Sequence, residues 1–211
     1  MKPVRHLGRS ISAAAICVLF TGFAAAAPPP ASTVVSPSPE VQIFLTWVAQ
    51  TQDHEGHAFA VLDKRQARLW LFDKRNRLLG NTPVLLGSAR GDASVPGIGE
   101  RELSTIRPEE RTTPAGRFVL EPGVNASGED ILWVDYAAAV SMHRVRTTKP
   151  AEQRLQRLAT PTPTDNRISY GCINIPTAYY DQQVRPLLGQ GRNVLYVLPE
   201  TLPQQRLFNT P

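Results

Sequence analysis

The first apolar pattern of the chain, in residues 40–52, repeats at the spacing of one helical face. This spacing predicts a short amphipathic helix over 40–52. Its apolar face would consist of Val41, Phe44, Leu45 and Val48.

From residue 58 onward the pattern changes to short apolar runs that are separated by polar turns, which is typical of strands. The runs are AFAVLD, ARLWLFD, LLGNTPVLLG, AGRFVLEPG, DILWVDY, AAVSMHRV and RNVLYVLPE. Residues 88–112 are punctuated by Gly and Pro and predict a loop, while KPAEQRLQRLA and a segment that begins at Pro176 predict helices. We therefore predict a mainly β domain with a few short helices.

Residues 1–26 have the composition of a secretory signal peptide, with a basic start, an apolar core and an Ala-x-Ala site. The apolar run is short for a bilayer span and rich in Ala, which favours cleavage over a transmembrane anchor. Ile16 is too large to precede a lipidated Cys17, which argues against a lipoprotein. We predict a periplasmic protein that has no stable membrane span after cleavage.

The predicted organisation after the signal peptide has four parts. Residues 27–39, rich in Pro, Ser and Ala, predict a flexible tether that precedes the helix of residues 40–52. Residues 53–200 predict a single domain, and residues 201–211 a C-terminal tail.

Cleavage changes the charge and the cysteine content of the chain. Removal of Lys2, Arg5 and Arg9 lowers the 23 basic residues to 20 against 18 acidic residues, so the net charge falls from +5 to +2. A nearly balanced chain gives no electrostatic reason to expect a nucleic-acid partner. Cys17 leaves with the signal, so Cys172 is a single thiol in an oxidising compartment.

A thiol of ordinary pKa is mostly protonated at neutral pH, so a nucleophilic Cys172 needs a base or a positive field. His143 is a candidate base because it lies at the end of a predicted strand, where the sheet can hold it rigidly. Gly171 would let the backbone approach a substrate carbonyl, and the amides of Gly171 and Cys172 could form an oxyanion hole. A buried cysteine is more often an inert small hydrophobe, and the spacing alone leaves both interpretations open.

The DHEGH segment, residues 53–57, contains residue types that can bind metals. It lacks the His-Glu-x-x-His pattern of zinc enzymes, so we expect a solvated linker and no metal site.

The segment ISYGCINIP resembles the signature of the L,D-transpeptidases, the YkuD-like catalytic domain, which reads Ser/Thr-His-Gly-Cys-hydrophobic-Asn or Arg. The matching positions are Ser169, Gly171, Cys172, Ile173 and Asn174. RTTPAGRFVL resembles the Thr-Pro-x-Gly-x-Phe segment of the family, and AAVSMHRV resembles the strand that carries its histidine. With a likeness to the opening hairpin, the resemblance extends over residues 58–198.

The resemblance implies a β-sandwich and a cysteine acyl-enzyme that acts on peptidoglycan stem peptides. Cys172 would attack the carbonyl between the third residue and the terminal D-alanine of a tetrapeptide stem, with His143 as base. The backbone carbonyl of Arg144 would orient the imidazole, and amides of residues 170–172 would hold the oxyanion. An amine would then take the acyl group, giving a 3→3 cross-link, D-amino-acid exchange or protein attachment. No metal or organic cofactor is implied, and the oligomeric state is not specified.

Two departures from the family pattern bear on substrate choice. Tyr170 stands where the family usually has a second histidine, and the interval between His143 and Ser169 is longer than usual. The extra segment, residues 149–166, could form a lid over the cleft. Two alternatives follow: a cysteine amidase or L,D-carboxypeptidase on the same scaffold, and a non-catalytic wall-binding module with a structural Cys172.

Overall fold

The computed structural model of the chain describes Met1 and residues 35–210. The signal peptide predicted for residues 1–26, including Cys17, and most of the tether predicted for residues 27–39 lie outside the described residues. No helix in the described part of the chain is both long enough and apolar enough to cross a bilayer.

Strand is the most frequent kind of regular structure in the described residues. The strands are β1 (Phe59–Asp63), β2 (Arg68–Phe72), β3 (Leu78–Pro83), β4 (Leu86–Gly87), β5 (Gly116–Val119), β6 (Glu121–Val124), β7 (Asp130–Asp135), β8 (Val140–Arg144), β9 (Arg167–Ser169), β10 (Ile173–Ile175) and β11 (Val194–Val197). The α-helices are α1 (Pro39–Thr51), α2 (Arg154–Ala159), α3 (Thr177–Tyr179), α4 (Arg185–Leu188) and α5 (Gln205–Phe208). A π-helical turn, Tyr180–Val184, joins α3 to α4. The prediction of a mainly β fold with a few short helices is confirmed.

The strands form two main sheets and one small sheet. The first sheet has the order β3-β2-β1-β11-β5, the second β10-β8-β7-β6, and the third pairs β4 with β9. The pairs β1–β11, β8–β10 and β4–β9 are parallel, and the others are antiparallel. Buried side chains of both main sheets share one core, including Leu62, Leu69, Leu132, Met142 and Ile173. The two main sheets therefore pack face to face as a sandwich.

The run AGRFVLEPG joins the two main sheets. Its apolar pattern continues without a break, but the backbone leaves the first sheet at Leu120, between β5 and β6. The Leu120 amide donates to the Asn193 carbonyl at 2.8 Å, and its side chain is buried. One sequence run therefore supplies a strand to each layer of the sandwich.

The helix α1 covers the outer face of the first sheet. The Ser38 hydroxyl caps it by accepting from the Val41 amide at 3.3 Å. On its buried face, the Phe44 ring lies 4.9 Å from the rings of Tyr196 in β11 and Phe208 in α5. The helix before residue 53 and the segment after residue 200 therefore share a second core with this sheet.

A buried ammonium group anchors the long loop of residues 88–112 to the sandwich. The side chain of Lys64 is fully buried, and its Nζ donates to Asp92 at 2.8 Å and to the Thr113 carbonyl at 2.9 Å. Glu200 lies 3.7 Å away and also accepts from Arg167 at 2.6 Å. Burial lowers the pKa of Lys64, an effect that the hydrogen bond to Asp92 opposes. All three N–H groups of the Lys64 ammonium have acceptors, because the Gly91 carbonyl also accepts from Nζ, and a buried charge requires such partners.

The carboxylate of Asp92 shows how strongly this network favours its charged form. Burial alone would raise the pKa of Asp92, but hydrogen bonds from Lys64, Thr201 and the Glu200 amide outweigh it and hold the pKa well below its ordinary value. A depressed pKa stabilises the fold above the ordinary carboxyl pKa of ~3.9, and that contribution is lost as the pH falls.

We expect Lys64→Met to lower the free energy of unfolding by about 3–5 kcal/mol, because it leaves the buried carboxylate of Asp92 without its cation. Urea unfolding followed by circular dichroism measures the change. Arg65→Met is the matched control, since Arg65 is half exposed and its ion pair with Glu40 spans 3.5 Å; we expect a loss below ~1 kcal/mol there. Equal losses in the two variants would contradict the role given to Lys64.

Candidate active site

The parallel pairing of β8 with β10 places the predicted nucleophile and base on the same face of the second sheet. Ile173 pairs with Met142, and Asn174 pairs with His143. Ile173 and Met142 are fully buried in the core. Because side chains alternate along a strand, Cys172 and Asn174 share the opposite face with His143.

The thiol of Cys172 lies in a half-buried position immediately before β10. Its Sγ atom is 3.7 Å from the Ser141 hydroxyl and 3.6 Å from the Ala139 carbonyl. Ser141 was not among the predicted site residues. It precedes His143 by two positions on the same strand, and that spacing is the sequence signal that could have identified it.

The His143 ring is oriented by its own strand. Its Nδ1 lies 2.7 Å from the Arg144 carbonyl, the group to which the resemblance assigns this role. A carbonyl only accepts, so this contact places the proton on Nδ1 and leaves Nε2 as a base.

The surroundings of His143 favour its neutral form. Burial is the main cause that lowers its pKa, and the positive charges of Arg146 and Arg154 lower it further. The hydrogen bond to the Arg144 carbonyl and the charge of Glu129 oppose these effects without reversing them. An imidazole with a lowered pKa stays unprotonated at neutral pH, as a general base must.

The turn between β9 and β10 is held by its own hydrogen bonds. The Ser169 hydroxyl accepts from the Gly171 amide at 3.1 Å and donates to the Cys172 carbonyl at 2.7 Å. The Asn174 side chain donates to the same carbonyl at 3.2 Å. Of the two amides that the sequence assigned to an oxyanion hole, that of Gly171 is therefore engaged within the turn.

Gly171 is required by both its backbone conformation and its surroundings. Its φ of +133° lies in the region that L side chains rarely adopt. A Cβ atom there would lie 2.8 Å from the Thr112 carbonyl oxygen, which is too close for a real contact. Any larger residue would displace the turn that presents Cys172.

Thr113 connects this turn to the buried Lys64. Its hydroxyl donates to the Gly171 carbonyl at 2.8 Å and accepts from the Gly87 amide at 3.0 Å. Its own carbonyl accepts from Lys64. Thr113, the first residue of the Thr-Pro-x-Gly segment, therefore stabilises the cysteine turn through its hydrogen bond to Gly171.

Tyr170 faces the loop of residues 88–112. The Arg111 guanidinium lies over the Tyr170 ring, 4.0 Å from its centroid. Arg111 also donates to the Ile106 carbonyl at 2.9 Å from Nη2 and 3.2 Å from Nε. The ring therefore takes part in a cation–π contact that holds the loop against the cysteine turn.

The segment of residues 149–166 is fixed against the sandwich on the other side of the site. It holds a 3₁₀ turn, Pro150–Glu152, then α2, and a second 3₁₀ turn, Pro163–Asn166. Leu158 packs with Leu85 and Val145, and the Asn166 side chain donates to the Val84 carbonyl at 2.9 Å. Arg154 of α2 donates to Asn174 at 2.6 Å, a contact that the sequence did not indicate.

The side chain of Arg144 lies away from the thiol. It pairs with Asp130 at 3.0 Å and Asp181 at 2.6 Å and lies over the Tyr180 ring. Its contribution to the His143 site is made by the backbone carbonyl.

The DHEGH segment is exposed at Glu55 and Gly56, but the prediction of a solvated linker is wrong at His54. His54 is buried, and its Nδ1 lies 2.9 Å from the His57 carbonyl. Asp53 pairs with Arg117 at 2.8 Å and accepts from the Tyr196 hydroxyl at 2.6 Å. Within the described residues there is no cluster of three or more His, Cys, Asp or Glu side chains that could hold a metal ion.

No protein-family model and no curated protein matches the chain. Among solved structures, the catalytic domain of an E. faecium L,D-transpeptidase is 16% identical over 69% of this chain and 99% of that one, with a TM-score of 0.38. The helical cell shape determining protein Pgp2 from Campylobacter jejuni is 13% identical over 74% of this chain and 55% of that one, with a TM-score of 0.44. The L,D-transpeptidase LdtMt1, solved in complex with imipenem, is 14% identical over 67% and 58%, with a TM-score of 0.38. These likenesses are too distant to assign an activity or a substrate.

We expect His143→Gln to slow alkylation of Cys172 by iodoacetamide at neutral pH and to change it little at high pH, where a thiol ionises without a base. The alkylation rate at each pH is obtained by quenching the reaction at successive times and measuring the alkylated fraction by intact-protein mass spectrometry. Parallel profiles for the wild type and the variant would mean that His143 does not activate the thiol.

Tyr170→Ala removes the surface on which Arg111 lies and should speed tryptic cleavage within residues 88–112, because the loop opens more often. Tyr170→Phe keeps the ring and should resemble the wild type. If Phe and Ala accelerate cleavage equally, the hydroxyl and not the cation–π contact holds the loop.

Proposed function

We propose that the chain is a periplasmic L,D-transpeptidase that acts on the tetrapeptide stems of peptidoglycan through an acyl-enzyme on Cys172. The observation that carries the proposal is the pairing of β8 with β10, which puts Cys172 and a neutral, oriented His143 on one face. The signature around Cys172 supports the choice of substrate class, because it resembles that of the L,D-transpeptidases.

In the acylation step, Nε2 of His143 takes the proton of the thiol, and Sγ attacks the carbonyl carbon between the third residue and the terminal D-alanine. Backbone amides of the turn at residues 170–172, other than the engaged amide of Gly171, hold the developing oxyanion. The carbon–nitrogen bond breaks, and His143 returns its proton to the amine of the departing D-alanine. The product is a thioester between Cys172 and the tripeptide stem.

In the second step, an acceptor amine attacks the thioester and gives its proton to His143. The carbon–sulfur bond breaks and the Cys172 thiol is restored. The acceptor decides the outcome, which is a 3→3 cross-link, an exchanged D-amino acid or an attached protein. If water replaces the amine, the same steps give an L,D-carboxypeptidase.

We expect Cys172→Ser to fold normally and to lose the activity, because a hydroxyl is far less acidic than a thiol. The wild type and the variant are incubated with purified cell-wall sacculi, which are digested and analysed by mass spectrometry. New 3→3 linked or D-amino-acid-exchanged fragments, made by the wild type alone, support transfer.

Three other outcomes of this experiment have distinct meanings. Tripeptide fragments without new linkages would replace the transferase with a hydrolase. No change in the sacculi, together with no mass adduct on Cys172 when the wild type is incubated separately with a carbapenem, would favour a wall-binding module. Activity in Cys172→Ser would contradict the nucleophile assignment.

A further inference from the structure

The guanidinium of Arg154 is held beside the proposed catalytic pair by two short contacts. Its Nε donates to Glu152 at 2.6 Å, and its Nη1 donates to the Asn174 side chain at 2.6 Å. The side chains of Arg154 and Glu152 are 14% and 23% exposed. Asn174 is fully buried and is the strand partner of His143. The guanidinium therefore contacts the strand partner of the proposed base, His143.

Three of the five N–H groups of Arg154 have no partner within residues 35–210, since the contacts to Glu152 and Asn174 use two. A cavity of about 510 Å³ lies against this side chain and is also lined by Lys149, Gln153 and Leu155. An arginine with free donors that faces open space is suited to bind a carboxylate, since its planar fork matches the two carboxylate oxygens.

The local charges also favour an anion. The cations Arg146, Lys149 and Arg154 are close to two carboxylates, Glu129 and Glu152. One positive charge therefore remains uncompensated on this side of the site.

We propose that Arg154 forms a carboxylate-binding subsite that orients the acyl donor for attack by Cys172. Asn174, which accepts from Arg154, lies two residues beyond Cys172, and two residues along a strand span about 6.6 Å. A carboxylate within about two residues of the attacked carbonyl would reach Arg154. The identity of the donor as a peptidoglycan stem rests on the proposed function, but the subsite itself does not.

Two carboxylates of such a donor have the required chemistry. One is the terminal carboxylate of the departing D-alanine, and the other is a side-chain carboxylate on the third residue. Either would fix the register of the scissile carbonyl. A donor that lacks the group would bind out of register and react slowly.

The test uses two alkylating reagents, N-iodoacetyl-D-alanine and N-iodoacetyl-D-alaninamide, which differ only in the carboxylate. The measured quantity is the ratio of their alkylation rates at Cys172. The ratio cancels any effect of a variant on the thiol or on His143, because both reagents meet the same thiol. We expect Arg154→Gln to lower the acid-to-amide ratio by ~10-fold, as expected for the loss of a hydrogen bond to a charged group.

Two control variants distinguish binding by the planar guanidinium of Arg154 from a general effect of positive charge. Arg146→Gln removes the other arginine that acts on His143 and should change the ratio less than 2-fold, in line with a screened charge. Arg154→Lys keeps the charge and should restore only part of the ratio, because a lysine lacks the planar fork. Circular dichroism confirms that each variant is folded.

An unchanged ratio in Arg154→Gln overturns the proposal, as does an equal fall in Arg146→Gln or a Cys172 that reacts with neither reagent. The source of the carboxylate follows from tetrapeptide donors amidated either at the terminal carboxyl or at the third side chain. Amidation of the carboxylate that Arg154 binds should slow acylation of the wild type. The same amidation should not slow acylation of Arg154→Gln, and amidation of the other carboxylate should slow neither protein. If no peptide reacts but Arg154→Gln still lowers the acid-to-amide ratio of the two reagents, the result counts against the proposed function and supports the subsite.

Discussion

The buried ammonium of Lys64 is the constraint on which the candidate site depends. Its hydrogen bond to the Thr113 carbonyl fixes the residue whose hydroxyl holds the carbonyl of Gly171, and Gly171 precedes the nucleophile. A charge without water around it tolerates little displacement, because each lost contact leaves an unsatisfied charged or polar group. The cysteine turn is thus positioned by electrostatics in the core as well as by the strands on either side.

Around this support, the site combines groups from parts of the chain that are distant in sequence. Parallel pairing of β8 and β10 supplies His143 and Cys172, while the loop of residues 88–112 closes one side through Arg111 and Tyr170. The segment of residues 149–166 closes the other side and brings a guanidinium to Asn174. Burial lowers the pKa of His143 most, and the charges of Arg146 and Arg154 lower it further, which favours the base form. The same two positive charges would also attract an anionic donor.

Local patterns predicted most of the strands, but they missed the three-residue strands β9 and β10 and did not indicate how the strands pair. The helix predicted over 40–52 runs from Pro39 to Thr51, because its apolar face and the cap at Ser38 are local signals. The division of AGRFVLEPG between two sheets was not predicted, since apolar spacing does not say which strand a segment will pair with. The helix predicted from KPAEQRLQRLA is interrupted at Gln153, whose φ is +49°, and no proline or glycine marks that break. The contact of Arg154 with Asn174, twenty residues along the chain, depends wholly on tertiary packing.

The central claim is that Cys172 becomes acylated with loss of the terminal residue of a stem peptide. The most direct measurement is the intact mass of the protein after a brief incubation with a disaccharide-tetrapeptide and an acid quench. The account predicts a mass increase equal to the disaccharide-tripeptide acyl group, located on Cys172 by peptide mapping and absent in Cys172→Ser. Release of D-alanine without any such adduct on the wild-type thiol, or the same adduct on another residue, would contradict it.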